Sequence, residues 1–240
     1  MRALTYVAVG TLTRDELLRA TLAHWDRFNV SDDADSKLFD WEERLCDTWL
    51  RAGDRILLVG CGTGRDLLPL LRRGHEVEGL DPAEKALRIA AARLARNGLR
   101  ATLRCEAAEE ASVTGPFDAI ILSWYCYGYI VGAAARREAL TRLRRALAPD
   151  GRILLSYLVN DTAGDGKLRL QAVRLGARLG GGWRLEPGDT MWADDAGDFH
   201  YEHVFGAAEI EEEARAAGCT VLKHERGPER GVIVLAPARA

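Results

Sequence analysis

The sequence predicts an α/β fold: a doubly wound, mostly parallel sheet of seven strands with helices on both faces and an antiparallel hairpin strand at the C-terminal end. Three observations carry this. Short, almost wholly apolar runs alternate with amphipathic stretches from Arg55 onward, the pattern of strands buried on both faces of a parallel sheet. A glycine loop, Gly60-Cys61-Gly62-Thr63-Gly64, follows the first of these runs. The last two runs, CTVLKHE (219–225) and GVIVLAP (231–237), are parted only by a short turn holding Gly227-Pro228, which suits a hairpin.

The elements follow in order. RILLVG (55–60) is the first strand, and Asp66–Arg73 reads helical. HEVEGL (75–80) is the second strand; Pro82 then stands where a helix opens, a position at which its missing N–H costs nothing. That helix, Ala83–Arg96, spaces Leu87, Ala91 and Leu94 along one face and is stopped by Gly98. RATLRCE (100–106) and FDAIILS (117–123) are the third and fourth strands. Ala133–Leu147 is a helix closed by Pro149-Asp150-Gly151, and GRILLSYL (151–158) is the fifth strand. Ala207–Ala217 is an acidic helix ended by Gly218 ahead of the terminal hairpin.

Two segments interrupt the alternation and set the domain organisation. Residues 1–52 read as a helical N-terminal lid, mainly helical over 11–52, with Thr13-x-x-Glu16 as a capping box at the start of a helix. Residues 53–240 form the α/β domain, with an insertion at 159–206. That insertion holds a polar loop, a basic amphipathic stretch (Lys167–Leu179), three glycines at 180–182 and an irregular aromatic segment. An insertion of this length in a compact domain is expected to form a lid or a substrate wall.

Composition narrows the function classes. With 33 basic and 36 acidic side chains in 240 residues, the net charge of −3 gives no electrostatic ground for nucleic-acid binding. The arginines are interleaved with acids and leucines along helix faces, as on solvated surfaces. Apolar runs such as 117–123 are strand-sized, far below the roughly 18 residues of a membrane helix. The apolar patch near the N-terminus is too short for a signal peptide, so a cytoplasmic protein is expected. Cys46, Cys61, Cys105, Cys126 and Cys219 form no short-spaced pair, so reduced thiols are expected rather than zinc ligands or disulfides.

Glycines in the 60–64 loop permit positive φ and let a ligand approach the backbone, and the helix behind them offers unpaired N–H groups. A dinucleotide fingerprint would need a third glycine where Arg65 stands, and the Gly-Lys-Ser/Thr of a phosphate loop is absent. The second strand ends at Asp81, 21 residues beyond Gly60, where a carboxylate can take both hydroxyls of a ribose.

With VGCGTG (59–64), GLDP (79–82), CEAAE (105–109), FDAIILS (117–123) and LAPDGRILLSYL (147–158) in this order, the chain resembles the class I S-adenosylmethionine-dependent methyltransferases, of Rossmann-like fold. The resemblance covers roughly 55–158, and AGCTV (217–221) fits it too. It implies S-adenosyl-L-methionine as cofactor and S-adenosyl-L-homocysteine as product. Gly60, Cys61, Gly62 and Gly64 would run under its methionine part, Asp81 would hold the ribose diol, and Pro82 would line the adenine. Glu106 would accept the adenine amino group, Ala107 would offer a backbone N–H, and Ser123 would lie next to the methionine and the substrate. Position 58 departs from the family: Leu58 stands where an acid commonly serves the cofactor's ammonium group.

Ligands of such sheets sit beyond the carboxyl ends of the strands. There the chain places Ser123-Trp124-Tyr125-Cys126-Tyr127-Gly128-Tyr129, which is not the Asn/Asp-Pro-Pro-Tyr of base-modifying relatives. Tyr125 and Tyr127 are read as facing the pocket. Trp124 serves packing or pocket equally well. In Phe199-His200-Tyr201-Glu202-His203, an extended chain turns His200 and Glu202 one way and Tyr201 and His203 the other. His200 and His203 are therefore candidate general bases rather than a metal pair, and no metal is expected. Trp25, Phe28, Phe39 and Trp41 are expected to cap the site. The resulting expectation is in-line methyl transfer to an O, N or S atom of a small molecule by a monomer or homodimer. The alternatives are a protein or RNA acceptor, and a non-catalytic module using the same fold.

Overall fold

The computed structural model describes residues 2–28, 37–159, 166–180, 185–193 and 199–238. Three helices come first: α1 (Arg2–Gly10), α2 (Arg14–Phe28) and α3 (Asp40–Trp49). Then β1 (Arg55–Val59), α4 (Leu67–Arg72), β2 (Glu76–Leu80), α5 (Glu84–Arg96), β3 (Thr102–Arg104) and β4 (Phe117–Leu122) alternate. A 3-10 turn, Cys126–Tyr129, leads to α6 (Ala133–Arg145) and β5 (Leu147–Leu158). The insertion supplies α7 (Gly166–Leu179), β6 (Asp189–Ala193) and β7 (Phe199–His203), and α8 (Ala207–Ala216), β8 (Cys219–Arg226) and β9 (Arg230–Pro237) finish the chain.

The main sheet has seven strands in the order β3-β2-β1-β4-β5-β9-β8. β3, β2, β1, β4 and β5 run parallel, and β9 pairs antiparallel with both β5 and β8. The expected sheet and its terminal hairpin are therefore present. Alternate residues of one strand feed the two faces, since side-chain direction reverses at each step. Leu57 and Val59 join the apolar layer that includes Leu140, Leu143 and Phe205, whereas Ile56 and Leu58 join the layer that includes Leu67, Leu70 and Leu94.

Differences from the sequence reading are local. β5 starts at Leu147 rather than Gly151, because Leu147 pairs with Phe117 and a register shift then absorbs Pro149-Asp150-Gly151. β3 shrinks to three residues. Within the segment 1–52 read as helical, α1 was not delimited, since its valines and threonine favour strands in isolation and no capping residue announces it. The capping box at α2 is formed: the Thr13 N–H donates to Glu16 Oε2 at 2.8 Å, and the Glu16 N–H to Thr13 Oγ1 at 3.3 Å.

What holds α1 and α7 together is close backbone approach. A Cβ on Gly10 would strike the Val173 carbonyl of α7, and one on Gly176 would strike the Val7 carbonyl of α1, so neither position accepts a side chain without the helices parting. Tyr6, Val9 and Leu17 of α1 and α2 pack with Val173, Met191 and Tyr201 of the insertion in a third apolar cluster. α1, α2 and the insertion thus form one layer, built from segments more than a hundred residues apart, whereas Cys46 of α3 packs with Leu58 and Leu67. Gly166 opens α7 and Gly180 follows its last residue, and Gly164, Gly181 and Gly182 lie outside the described residues.

Candidate functional site

Parallel pairing of β1 between β2 and β4 brings three loops to one sheet edge. The Gly60 N–H donates to the Leu80 carbonyl at 2.8 Å, which fixes the glycine loop against the end of β2. Gly60 has φ +70°, and an added Cβ would come within 2.7 Å of Cys126 Cβ, so glycine alone fits this corner. Asp81 then locks the loop from the other side: its Oδ2 accepts the Gly62 N–H and its Oδ1 the Ala83 N–H, both at 2.8 Å. Burial raises its carboxyl above the ordinary range, and the two backbone donors oppose that rise. Each oxygen keeps acceptor capacity for a ligand hydroxyl.

A cavity of about 350 Å³ opens here, and Gly60, Gly62, Asp81, Pro82, Glu106, Ala107 and Ser123 all line it. Seven of the nine residues read as cofactor-binding thus meet on one surface. Cys61 instead turns into the apolar layer with Leu58 and Leu67, and Gly64 abuts Ala90 of α5. Glu106 is oriented by the Ser112 N–H at 2.9 Å.

Position 58 has a structural answer. Leu58 is fully buried under α4, yet a carboxylate does stand beside Ser123: the Ser123 hydroxyl donates to Oδ2 of Asp66, the residue that precedes α4. Asp66 is buried, and Arg65 contacts its other oxygen at 2.7 Å while also pairing with Glu42. Burial first, then the Glu42 charge, push the Asp66 carboxyl up to about 6, against Arg65 and the Ser123 hydroxyl. Sequence reading missed Asp66 because it looked only two residues ahead of the loop.

After β4 the chain makes two successive left-handed residues, Trp124 (φ 36°) and Tyr125 (φ 63°). Such backbone is sparsely populated for non-glycine residues and marks a turn held by its surroundings. The turn sends neighbouring aromatics to different places. Trp124 and Tyr129 line the cavity, joined by Trp25 of α2. Tyr125 faces away from it and stacks on Trp41 at 6.2 Å. Tyr127 is fully buried, its hydroxyl donating to Glu213 Oε2 at 2.6 Å.

The two histidines part as an extended strand requires. His200 stacks on His24 at 4.3 Å and lies 5.3 Å from Trp25, beside the cavity wall. His203 is fully buried on the other face, with Nδ1 2.7 Å from Asp189 and Nε2 2.8 Å from Glu209. Burial alone would lower its pKa, but those two acceptors raise it. The pocket assignments of Tyr125, Tyr127 and His203 are therefore corrected: stacking holds the first elsewhere, and buried hydrogen bonds engage the other two. Glu186, Asp189 and His203 approach the spacing of a metal site. Asp189 nevertheless already accepts from Tyr201 (2.6 Å) and the Glu186 N–H (2.7 Å), and Arg136 lies 3.1 Å from Glu186, so this cluster balances its own charge.

Glu202, passed over in the sequence, shares the His200 face. It is buried, accepts Trp192 Nε1 at 2.8 Å and takes the Tyr129 hydroxyl. Its signal was available: period two places it beside His200, and an acid amid aromatics is out of place on a solvated strand.

Comparison with known proteins agrees with this geometry. Residues 56–151 match the family model Methyltransf_25, described as a methyltransferase domain. The chain is 32% identical over 114 residues to the ribosomal protein L11 methyltransferase of Thermus thermophilus, covering 48% of this chain and 42% of that protein. It is 31% identical over 144 residues to a ubiquinone biosynthesis O-methyltransferase of Dechloromonas aromatica, covering 57% and 59%. The chain thus spans about half the length of these curated relatives. Among solved structures, the Burkholderia thailandensis 1,6-didemethyltoxoflavin-N1-methyltransferase, with its substrate and S-adenosylhomocysteine bound, superposes with a TM-score of 0.62 at 20% identity, covering 94% of this chain and 87% of that one. Residues 56–151 thus match a methyltransferase domain, and the seven-stranded sheet that carries them has the fold of this solved methyltransferase.

Proposed function

We propose that this protein transfers a methyl group from S-adenosyl-L-methionine to an O, N or S atom of a small molecule by in-line displacement, releasing S-adenosyl-L-homocysteine. One observation carries the reading: the glycine cradle with Asp81, Glu106 and Ser123 shares a single cavity with the aromatic wall of Trp25, Trp124 and Tyr129. Asp81 takes the ribose diol, Glu106 and Ala107 meet the adenine, and Ser123, backed by Asp66, receives the ammonium end. The cofactor supplies an activated methyl group, so the protein's part is alignment and exclusion of water. α2 contributes Trp25 and Leu22 to the lining and roofs the cavity, which fits a small acceptor better than a folded macromolecule. Action in the cytoplasm, as a monomer or homodimer, belongs to the same reading.

Titration calorimetry with S-adenosylmethionine is the first test, followed by detection of S-adenosylhomocysteine after incubation with pooled small molecules. Saturable heat and product in a small-molecule pool support the reading. Absence of heat at millimolar cofactor would favour a non-catalytic module, and product only with protein or RNA pools would move the acceptor class.

A further inference from the structure

We propose that the acceptor is an amine, held as its ammonium form in a box of aromatic rings and relieved of its proton through Tyr129 by the buried carboxylate of Glu202; this rests on the methyltransferase reading above. The box is assembled by three separate elements. Trp25 of α2 lies 4.7 Å from Tyr129, 6.3 Å from Trp124 and 5.3 Å from His200 of β7, ring centre to ring centre. Trp25, Trp124 and Tyr129 line the cavity. Ring faces carry partial negative charge and attract cations, most strongly when water is excluded.

Behind the box stands Glu202, 4% exposed. Its donors, Trp192 Nε1 at 2.8 Å and the Tyr129 hydroxyl, are both neutral. A buried carboxylate whose donors among the described residues are neutral is costly as a charge, and burial pushes it up to about 7 while the two donors hold it down. An ammonium group seated against Tyr129 would supply the missing positive charge. The wider lining has the same sign, with Asp81, Glu106, Glu109 and Glu110 against Arg19. An acidic acceptor would be repelled here, and a phenol or alcohol would leave the box without its cation.

The proton balance closes with groups on the page. The ammonium passes one proton to the Tyr129 oxygen as the Tyr129 hydroxyl proton moves to Glu202. The freed nitrogen lone pair forms the N–CH3 bond while the S–CH3 bond breaks, its electron pair staying on sulfur. Glu202 returns its proton to solvent as the product leaves. Among the described residues, His200 shares Glu202's face of the strand and is stacked on His24 of α2. Tyr201 and His203 point to the opposite face, toward Asp189.

The test uses the full chain and isopropylammonium chloride, with isopropanol as the neutral isostere and sodium chloride matching ionic strength. Indole N–H signals of Trp25 and Trp124 are followed by NMR. Saturable shifts with the ammonium alone, weakened tenfold or more in Glu202→Gln and largely restored in Glu202→Asp, support the proposal. Equal response to isopropanol, or a Glu202→Gln protein that responds like wild type, overturns it. Near-ultraviolet circular dichroism and unchanged calorimetric heat with S-adenosylmethionine establish that the variants are folded and keep the cofactor cradle, so failure here is distinct from failure of the methyltransferase reading. In turnover with an amine pool, Glu202→Gln should shift the acid limb of the rate profile up toward the free amine's own pKa; an unmoved limb removes Glu202 from the proton path.

Discussion

The Tyr127 hydroxyl lies 2.6 Å from Glu213 Oε2, eighty-six residues further along the chain. Arg136, fully buried, reaches the same carboxylate at 2.7 Å and places its guanidinium 5.2 Å from the centre of the Phe205 ring. One buried network thus ties the turn after β4 to α6 and α8, and it is this tie that withdraws Tyr127 from the cavity.

Removing the tyrosine hydroxyl and removing the cation should therefore differ. Tyr127→Phe leaves the Glu213–Arg136 pair intact and should cost about 1–2 kcal/mol of stability. Arg136→Met strands Glu213 and should cost about 3–5 kcal/mol. Urea unfolding measures both. Cofactor affinity should be unchanged in Tyr127→Phe; a marked loss would return this residue to the site.

Asp81→Ala should weaken S-adenosylmethionine binding by about 1.5–3 kcal/mol per charge-assisted hydrogen bond lost, with the added cost that Gly62 and Ala83 lose the acceptor that shapes their loop. Gly60→Ala should nearly abolish binding, because the new methyl meets Cys126 and φ is +70°. Calorimetry separates the two, and wild-type affinity in either would remove it from the cradle.

Stability should fall as pH rises from about 5 to above 7. Glu202 and Asp66 have folded pKa values raised to about 7 and about 6, so the folded state binds protons that the unfolded chain has already released. Their stabilisation is complete below the unfolded values and lost as pH climbs through the folded ones. His203, raised by Asp189 and Glu209, works in the same direction and is lost above its ordinary value of 6.5. The lowered carboxyl of Glu209 acts the opposite way, but only below its ordinary 4.5. Thermal melts across this range should flatten in the Glu202→Gln and Asp66→Asn proteins; slopes like wild type would mean neither group is protonated by folding.

The contact of α1 with α7 gives a test of whether α1, α2 and the insertion act as a mobile cover over the cavity. Gly176→Val should part the two helices, because a side chain there strikes the Val7 carbonyl. Hydrogen exchange should then quicken in α1, α2 and α7 while β1 and β4 stay protected. In the wild-type protein, cofactor with an acceptor should slow exchange in the same cover. Equal exchange with and without ligands would make it fixed scaffold.

The order and direction of the main strands were legible because their chemistry is local. RILLV and FDAIIL are almost wholly apolar, and Gly98 and Gly218 follow the ends of α5 and α8. The same holds for the cradle: Gly60, Gly62, Asp81 and Ser123 lie at strand ends, and parallel pairing of neighbouring strands brings strand ends together. The sequence by itself therefore determined the sheet and the cofactor side of the cavity. The acceptor side was decided only by tertiary structure. Whether Tyr125, Tyr127 or Tyr129 enters the cavity depends on two left-handed residues and on a carboxylate in α8, neither of which has a local signature. Asp66 meets Ser123 from the start of α4, and Glu202 meets Trp192 of β6 and Tyr129 of the turn after β4, only once the chain is folded. Contacts between segments so far apart depend on how whole layers pack, and periodicity within one segment carries no record of them.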